Sequence, residues 1–291
     1  THSPQSDFIT LLRDRHPDLL PNALHPSSDR STATSAMGHP PDVDHLPHGT
    51  TILAVRFGGG VLIAGDRQAT AGYEVADRTI DKVFEMDEHS AMAIAGVAAP
   101  ATQMAKLLRT QLEFYEKVEG TPLSLEGKAN YLSLLLRQNL AAAMQGLVVV
   151  PIFAGYDHRR REGRIYKYDP IGGRYEELDY YATGSGGKDA RSTLKKRYHA
   201  GVDRDEAVRM TVEALLDASD EDVATQGFDF MRGIFPTMKI IVEEGTEDVP
   251  AERLREIAET FLDEWRRDHG ARRLANLCQR LEDMGRNREL T

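Results

Sequence analysis

Residues 49–51, Gly-Thr-Thr, offer a specific form of hydroxyl chemistry. A threonine hydroxyl is a poor nucleophile unless a base lies beside it. The α-amine of the same threonine can be that base, because its ordinary pKa of about 7.7–8.0 leaves much of it unprotonated in the cell. Thr50 must then be the first residue of its chain. The sequence therefore predicts a precursor that is cut after Gly49, whose carbonyl is small and unhindered.

The first 49 residues differ in composition from the rest, as a removable leader would. They hold seven of the thirteen prolines and six of the ten histidines, with a Ser/Thr-rich stretch, PSSDRSTATSAMG. Only DFITLLRDRHPDLL carries an apolar stripe. We predict a largely disordered leader with one element that docks on an adjacent subunit. The histidine spacing is too irregular to indicate a metal site.

Two glycine-rich stretches invite a phosphate-binding interpretation, and both fail it. FGGGV joins two predicted strands, whereas a phosphate cradle opens onto the start of a helix. ATGSGGKDA has Ala182 where a Walker loop needs its first glycine, and Asp189 where it needs Ser or Thr. We predict a hairpin turn in the first stretch. The second lies between a strand and a helix and can serve a site of another kind.

Composition and charge exclude several classes of function. The net charge of −10 disfavours sequence-independent nucleic-acid binding. No apolar run approaches the roughly 20 residues of a membrane helix, and the N-terminus lacks the pattern of a secretory signal. Cys278 is the only cysteine, and no Cys/His cluster has zinc spacing. We expect a cytoplasmic protein that needs no metal or organic cofactor.

The order of the predicted elements favours an α+β fold. Strands occur in groups and not singly between helices, which indicates antiparallel sheets covered by helix pairs, a four-layer αββα sandwich. Ser124 is expected to open its helix with a capping box. The predicted elements are strands TTILAVRF, VLIAGD, KVFEM and AMAIAG, helices AAPATQMAKLLRTQLEFYEKVEG and SLEGKANYLSLLLRQNLAAAMQG, strands LVVVPIFAGYD, GRIYKYD and RYEELDYYATG, helices KDARSTLKKRYH and RDEAVRMTVEALLDASDED, strand TMKIIVEEG, and a helical tail.

Seven motifs together resemble the β subunits of the 20S proteasome, of the actinobacterial type. They are GTTILAVRF, AGDRQAT, DKV, AIAGVAA, NLAAAMQG, ATGSG, and DVATQG followed by RGIFPT. The resemblance runs from Thr50 to about Ile241. It implies the Ntn-hydrolase fold, which agrees with the element order. It also implies three parts: a propeptide over 1–49 that the chain itself removes, a peptidase domain over 50–245, and a helical tail over 246–291.

Residue by residue, the resemblance implies a threonine endopeptidase site. Thr50 is the nucleophile, and Asp66 contacts the catalytic Lys82, whose ammonium lowers the cost of deprotonating the threonine hydroxyl. The other implied roles are an oxyanion donor at Gly96, a serine beside the α-amine at Ser185, and a supporting acid and hydroxyl at Asp222 and Thr225. The family usually has two glycines after that hydroxyl, and this chain has Gln226 and Gly227.

The resemblance also implies where a peptide substrate binds. The implied S1 pocket is lined by Ala69, Ile80, Phe84, Ile94 and Ala98. None of these is charged, so we predict cleavage after large apolar residues, which bury apolar area. The main chain of Thr70, Gly96 and Ala98 is expected to pair with the extended substrate. The reaction is acyl transfer through an ester on Thr50.

The resemblance further implies an enclosed particle. Heptameric β rings stack between α-subunit rings (α7β7β7α7), and a ring ATPase or other activator supplies protein substrates. Apolar stripes on two helices fit either core packing or contact with neighbours; they are Met104, Leu107, Leu108, Leu112, Leu132, Leu134 and Leu135. Two alternatives remain at this point: a catalytically silent ring subunit, and another threonine-nucleophile ATP-dependent peptidase.

Overall fold

The computed structural model describes residues 49–71 and 74–267. Within these ranges the chain forms two five-stranded antiparallel sheets and one short two-stranded ribbon. The first sheet has the order β10-β1-β2-β11-β12. Its strands are β1 (Thr51–Phe57), β2 (Gly60–Gly65), β10 (Tyr180–Gly184), β11 (Thr237–Val242) and β12 (Gly245–Asp248).

The second sheet has its strands in chain order. They are β5 (Val83–Asp87), β6 (Ser90–Gly96), β7 (Val149–Asp157), β8 (Glu162–Tyr168) and β9 (Arg174–Glu177). The ribbon consists of β3 (Ala69–Ala71) and β4 (Glu74–Asp77). This ribbon was not predicted from the sequence, because both strands are short. β4 is also exposed along its whole length, so its residues show no alternation of apolar and polar side chains.

Helices cover the outer faces of both sheets. They are α1 (Ala98–Glu119), α2 (Leu125–Gln138), α3 (Leu140–Ala143), α4 (Gly187–Arg197), α5 (Arg204–Glu221) and α6 (residues 251–267). None of those in the described part of the chain combines the length and hydropathy of a membrane span.

Three apolar layers hold the sandwich together. Alternate residues of β1 face opposite sides: Ile52 and Ala54 lie between the sheets, whereas Leu53 and Val55 pack under α4, α5 and α6. A third layer joins the second sheet to α1 and α2; its largest members include Met92, Leu108, Leu132, Leu136 and Phe153. Two sheets between two helical layers confirm the predicted αββα fold class.

The segment RYEELDYYATG is two strands and not the single strand that its pattern predicted. β9 ends the second sheet, the chain turns at Leu178 and Asp179, and β10 pairs with β1 in the first sheet. Leu178 is exposed at the crossing. A local pattern of alternating residues does not encode a change of sheet, since both strands keep the same period.

The second helix also differs from its prediction. Ser124 caps it by accepting a hydrogen bond from the Gly127 N–H, but the third helical position is Gly127 itself, which has no side chain to complete a capping box. The helix ends at Gln138 with Asn139 as its C-cap, and α3 then forms a separate short helix. The single helix expected as far as Gly146 is therefore interrupted.

The predicted division at residue 245 falls inside the pairing of β11 with β12. Beyond it, Leu254, Ile257 and Ala258 of α6 pack into the core of the first sheet. The packed unit therefore continues into the first part of the predicted tail. The leader with its docking element, and the tail beyond residue 267 with Cys278, lie outside the described residues.

Candidate active site

The β1–β2 hairpin brings Thr50 and Asp66 together. Ile52 pairs with Gly65, so the residue before β1 and the residue after β2 meet at the same end of the hairpin. The Asp66 N–H donates to the Thr51 carbonyl at 3.0 Å, and the Thr51 N–H donates to Asp66 Oδ1 at 2.7 Å. The register of one hairpin thus fixes Asp66 relative to Thr50.

Asp66 is a buried carboxylate with a full set of donors. Its Oδ1 accepts from Lys82 Nζ at 2.7 Å as well as from Thr51. Its Oδ2 accepts from the backbone N–H groups of Gln68 and Gln226, at 2.9 and 3.2 Å. Buried charges persist when they are paired and hydrogen-bonded in this way. The carboxylate is therefore a fixed anchor for Lys82.

The environment of Lys82 favours loss of its proton. Burial lowers the pKa of the Lys82 ammonium below its ordinary value, and this effect outweighs the opposing attraction of Asp66 and the weaker one of Asp222. A desolvated lysine is a common way to obtain a base near neutral pH. Lys82 therefore loses its proton at a lower pH than a solvated lysine does.

Thr50 and Lys82 both contact the carbonyl of Gly49. The Thr50 hydroxyl donates to the Gly49 oxygen at 2.5 Å, and Lys82 Nζ donates to the same oxygen at 3.2 Å. Thr50 is buried, with 3% of its surface exposed. A donor aimed at a carbonyl oxygen stabilises the negative charge that develops there during attack. In the uncleaved chain, a hydroxyl and an amine-type donor therefore lie on the carbonyl of the same peptide group.

Gly49 lies where no larger residue fits. Its N–H donates to Thr70 Oγ1 at 3.1 Å. A Cβ on Gly49 would lie 2.5 Å from Ala224 Cβ and 2.6 Å from Thr70 Oγ1, closer than real Cβ contacts occur. The close approach of two segments thus requires glycine before the nucleophile.

Ser185 binds the other side of Thr50. The Thr50 N–H donates to Ser185 Oγ at 3.1 Å, and the Ser185 N–H donates to the Thr50 carbonyl at 2.8 Å. β10 ends at Gly184, whose φ of +97° is a backbone conformation that favours glycine. A Cβ at this position would also collide with the Thr50 carbonyl oxygen. The structure thus places Ser185 beside the nitrogen that self-cleavage would free.

Asp222 and Thr225 reach the site through Thr51. The hydroxyl oxygens of Thr225 and Thr51 lie 2.6 Å apart, and Thr225 also donates to Asp222 Oδ2 at 2.6 Å. Thr51 was not predicted as a site residue, although a second threonine directly after Thr50 is visible in the sequence. Gln226, the departure from the family pattern, contributes its backbone N–H to Asp66.

The residues predicted for S1 line one cavity next to Thr50 and Lys82. Ala69, Ile80, Phe84, Ile94 and Ala98 all border it, together with Gly96, the predicted oxyanion donor, and with Ala101, Thr102 and Asp81. Asp81 was not predicted; it lies at the rim, 61% exposed, and pairs with Arg67 at 3.3 Å. The free space is about 20 Å³ in this uncleaved chain, room for about one water molecule.

Comparisons with known proteins agree with this geometry. A family model described as proteasome subunit matches residues 46–230. The chain belongs to the proteasome subunit family. It is 50% identical over 272 residues to a proteasome subunit beta of Acidimicrobium ferrooxidans, covering 94% of each chain. It is 47% identical to a proteasome subunit beta of Streptomyces griseus over 260 residues, covering 89% of this chain and 88% of the relative.

A proteasome subunit beta of Nocardia farcinica is similar as well, 49% identical over 258 residues, or 87% of this chain and 89% of the relative. The resemblance found in the motifs is therefore confirmed. Proteasome β subunits are threonine endopeptidases, and the prediction of an enzyme of this class is confirmed with the family. The roles of the individual site residues remain predictions.

Proposed function

We propose that this proteasome subunit is a self-processing threonine peptidase that cleaves after large apolar residues. The observation that carries the proposal is the contact of both Thr50 Oγ1 and Lys82 Nζ with the Gly49 carbonyl oxygen, at 2.5 and 3.2 Å. A nucleophile, a base and a carbonyl on one buried peptide bond are what intramolecular acyl transfer requires.

The first reaction cuts the chain's own Gly49–Thr50 bond. Lys82, in its unprotonated form, takes the hydroxyl proton of Thr50, and the oxygen attacks the Gly49 carbonyl carbon. The carbon–nitrogen bond then breaks, the Thr50 nitrogen takes up the proton, and an ester links Gly49 to the threonine oxygen. Water hydrolyses this ester, which releases the leader as a carboxylate and restores the hydroxyl.

The second reaction uses the amine that the first one frees. The Thr50 nitrogen already lies 3.1 Å from Ser185 Oγ, so its position is set before cleavage. As an amine, it accepts the hydroxyl proton during attack on a substrate carbonyl and returns it to the leaving amine. Water then hydrolyses the acyl-enzyme. Asp66 and Lys82 stabilise the charge at the threonine oxygen, and the Gly96 N–H serves the developing oxyanion.

The apolar lining of the cavity supports the proposed specificity. Most of the lining side chains are apolar and would bury area against an apolar P1 side chain, whereas Asp81 is 61% exposed and paired with Arg67. A panel of fluorogenic tripeptides tests this: aromatic or leucine P1 residues should be cleaved faster than basic or acidic ones. Faster cleavage of a charged P1 residue would refute the assignment.

We further infer assembly into heptameric β rings between rings of α subunits, served by an activator in the cytoplasm. The structure divides the apolar stripes: Met104, Leu108, Leu112, Leu132 and Leu135 are buried, whereas Leu107 and Leu134 are 45% and 46% exposed. Phe114 and Met144 are exposed as well. Such exposed apolar residues favour contact with neighbours. Native mass spectrometry with co-expressed α subunits tests the stoichiometry.

A covalent inhibitor that reacts with an N-terminal threonine separates the proposed enzyme from a silent ring subunit. The proposal expects one label per β subunit, attached to Thr50, and loss of peptidase activity in proportion to labelling. Assembled particles that cleave peptides without being labelled, or that are labelled at another residue, would contradict it.

A further inference from the structure

A groove beside the catalytic groups has no role in the reaction described above. It has a volume of about 410 Å³, and its lining includes Gln68, Arg78, Gln226, Phe228, Asp229 and Met231. We call it the glutamine groove. It shares no lining residue with the S1 cavity.

Two residues that line the glutamine groove are hydrogen-bonded to the Asp66 carboxylate. The backbone N–H groups of Gln68 and Gln226 donate to the same oxygen of Asp66. Gln68 is followed directly by Ala69, which borders the S1 cavity. If the acyl side of an extended peptide pairs with the main chain of Thr70 and its P1 side chain enters the cavity, its leaving-group side lies toward Gln68 and the groove.

Gln226, which lines the groove, has a buried side-chain amide without hydrogen-bond partners among the described residues. It is 6% exposed, and neither its side-chain oxygen nor its side-chain nitrogen has a hydrogen-bond partner among the described residues. The Gln68 amide, in contrast, donates to the Val223 carbonyl at 3.0 Å. Burying an amide without hydrogen-bond partners costs free energy of folding. A ligand that hydrogen-bonds to the Gln226 amide recovers part of this cost, because the amide gives up no hydrogen bond within the protein.

The chemistry of the groove matches a peptide main chain. A primary amide offers one acceptor oxygen and two N–H donors, which complement the N–H and C=O of a peptide group. Met231 is 96% exposed and also lines the groove, so an apolar side chain of a ligand finds contact area there.

We propose that the glutamine groove binds the substrate polypeptide on the leaving-group side of the scissile bond, with the Gln226 amide turning to hydrogen-bond to its main chain. This inference rests on the proposed function, because it assigns the second half of the same cleft. Gln226 is then a specificity residue that favours long polypeptides over short peptides.

Two fluorogenic substrates with the same acyl side test the proposal. One carries aminocoumarin directly after P1, and the other continues with four amino acids and a quencher. In mature assembled particles, Gln226→Met and Gln226→Ala should lower the ratio of kcat/KM for the extended substrate to kcat/KM for the short one by about three- to tenfold. Gln103→Ala, an exposed glutamine on α1, is the matched control and should keep the wild-type ratio.

Gln226→Met also checks folding, because it keeps the side-chain volume and removes two unpartnered polar atoms, so its melting temperature should equal or exceed that of the wild type. A ratio that stays constant in both variants, including one where both substrates slow in parallel, overturns the groove assignment. Wild-type particles that cleave neither substrate overturn the proposed function itself, and the inference with it.

Discussion

The hydroxyl oxygens of Thr51 and Thr225 lie 2.6 Å apart in the buried interior of the site. This contact joins the start of β1 to the loop after α5. The same loop is bound to Asp66 through the Gln226 N–H. Thr50, Asp66 and the loop are therefore held together through Thr51 and Gln226.

Thr51→Ala should slow self-cleavage and peptide hydrolysis by about tenfold, the effect of one hydrogen bond on a barrier. Thr51→Ser keeps the hydroxyl and should restore most of the rate, whereas Thr51→Val should not. The measurement is the rate at which precursor disappears on gels, with kcat of the mature form. Equal rates for the alanine and serine variants would show that the hydroxyl contact has no role.

Self-cleavage should accelerate as the pH rises. A group whose pKa is lowered gives up its proton at lower pH than usual, and only unprotonated Lys82 can accept the Thr50 proton. The rate should therefore rise with pH and reach half its maximum below the ordinary lysine value of 10.5. Lys82→Arg should not process, because arginine stays protonated. A rate that is flat or falls between pH 6 and about 9 contradicts this role.

Gly49→Ala should slow self-cleavage by at least about tenfold, because its Cβ collides with the Ala224 side chain and displaces the scissile carbonyl. Ala224→Gly removes one of the colliding groups. It should rescue part of the rate in the double variant while changing little alone. Timed intact-mass measurements follow the reaction. The Ala224 carbonyl oxygen and Thr70 Oγ1, each 2.6 Å from the added Cβ, limit this rescue, so the steric explanation is wrong if Gly49→Ala alone processes as fast as the wild type.

Arg164 should be a major contributor to the stability of the second sheet. It is 3% exposed and pairs with Asp157 at 2.9 Å and with both oxygens of Glu176 at 2.7 Å. Arg164→Ala removes charge-assisted hydrogen bonds to Asp157, whose side chain is 13% exposed, and to Glu176, whose side chain is 30% exposed, and should cost about 1.5–3 kcal/mol.

The matched control is Arg204→Ala, which breaks a pair between exposed Arg204 and Glu247 and should cost about 0–1 kcal/mol. Denaturant unfolding at one protein concentration and one oligomeric state measures both variants. Similar losses in the two would contradict the role assigned to burial.

The sequence predicted what local pattern and spacing encode. The β1–β2 hairpin follows from its apolar alternation, and the family motifs around Thr50, Asp66 and Lys82 led to residues that the fold brings into contact. Thr51 and Gln68 were missed, because their roles come from contacts with Thr225 and Asp66 across the fold and not from spacing along the chain.

The helices show the same limit. Leu107 and Leu108 are adjacent and equally apolar, yet one is 45% exposed and the other fully buried. The period of a helix gives the width of an apolar stripe, whereas the packed sheet decides where the stripe stops. The change of sheet between β9 and β10 could not be predicted from the sequence either, because it depends on which strand β10 pairs with in the folded protein.

Intact-mass measurement of assembled, peptide-cleaving particles shows whether activity depends on self-cleavage before Thr50. Every active β chain is expected to lack residues 1–49 and to begin with TTILAVRF. Particles of the Thr50→Ala variant are expected to retain the leader and to cleave no peptide. Active particles whose β chains still carry residues 1–49, or a Thr50→Ala variant as active as the wild type, would contradict it.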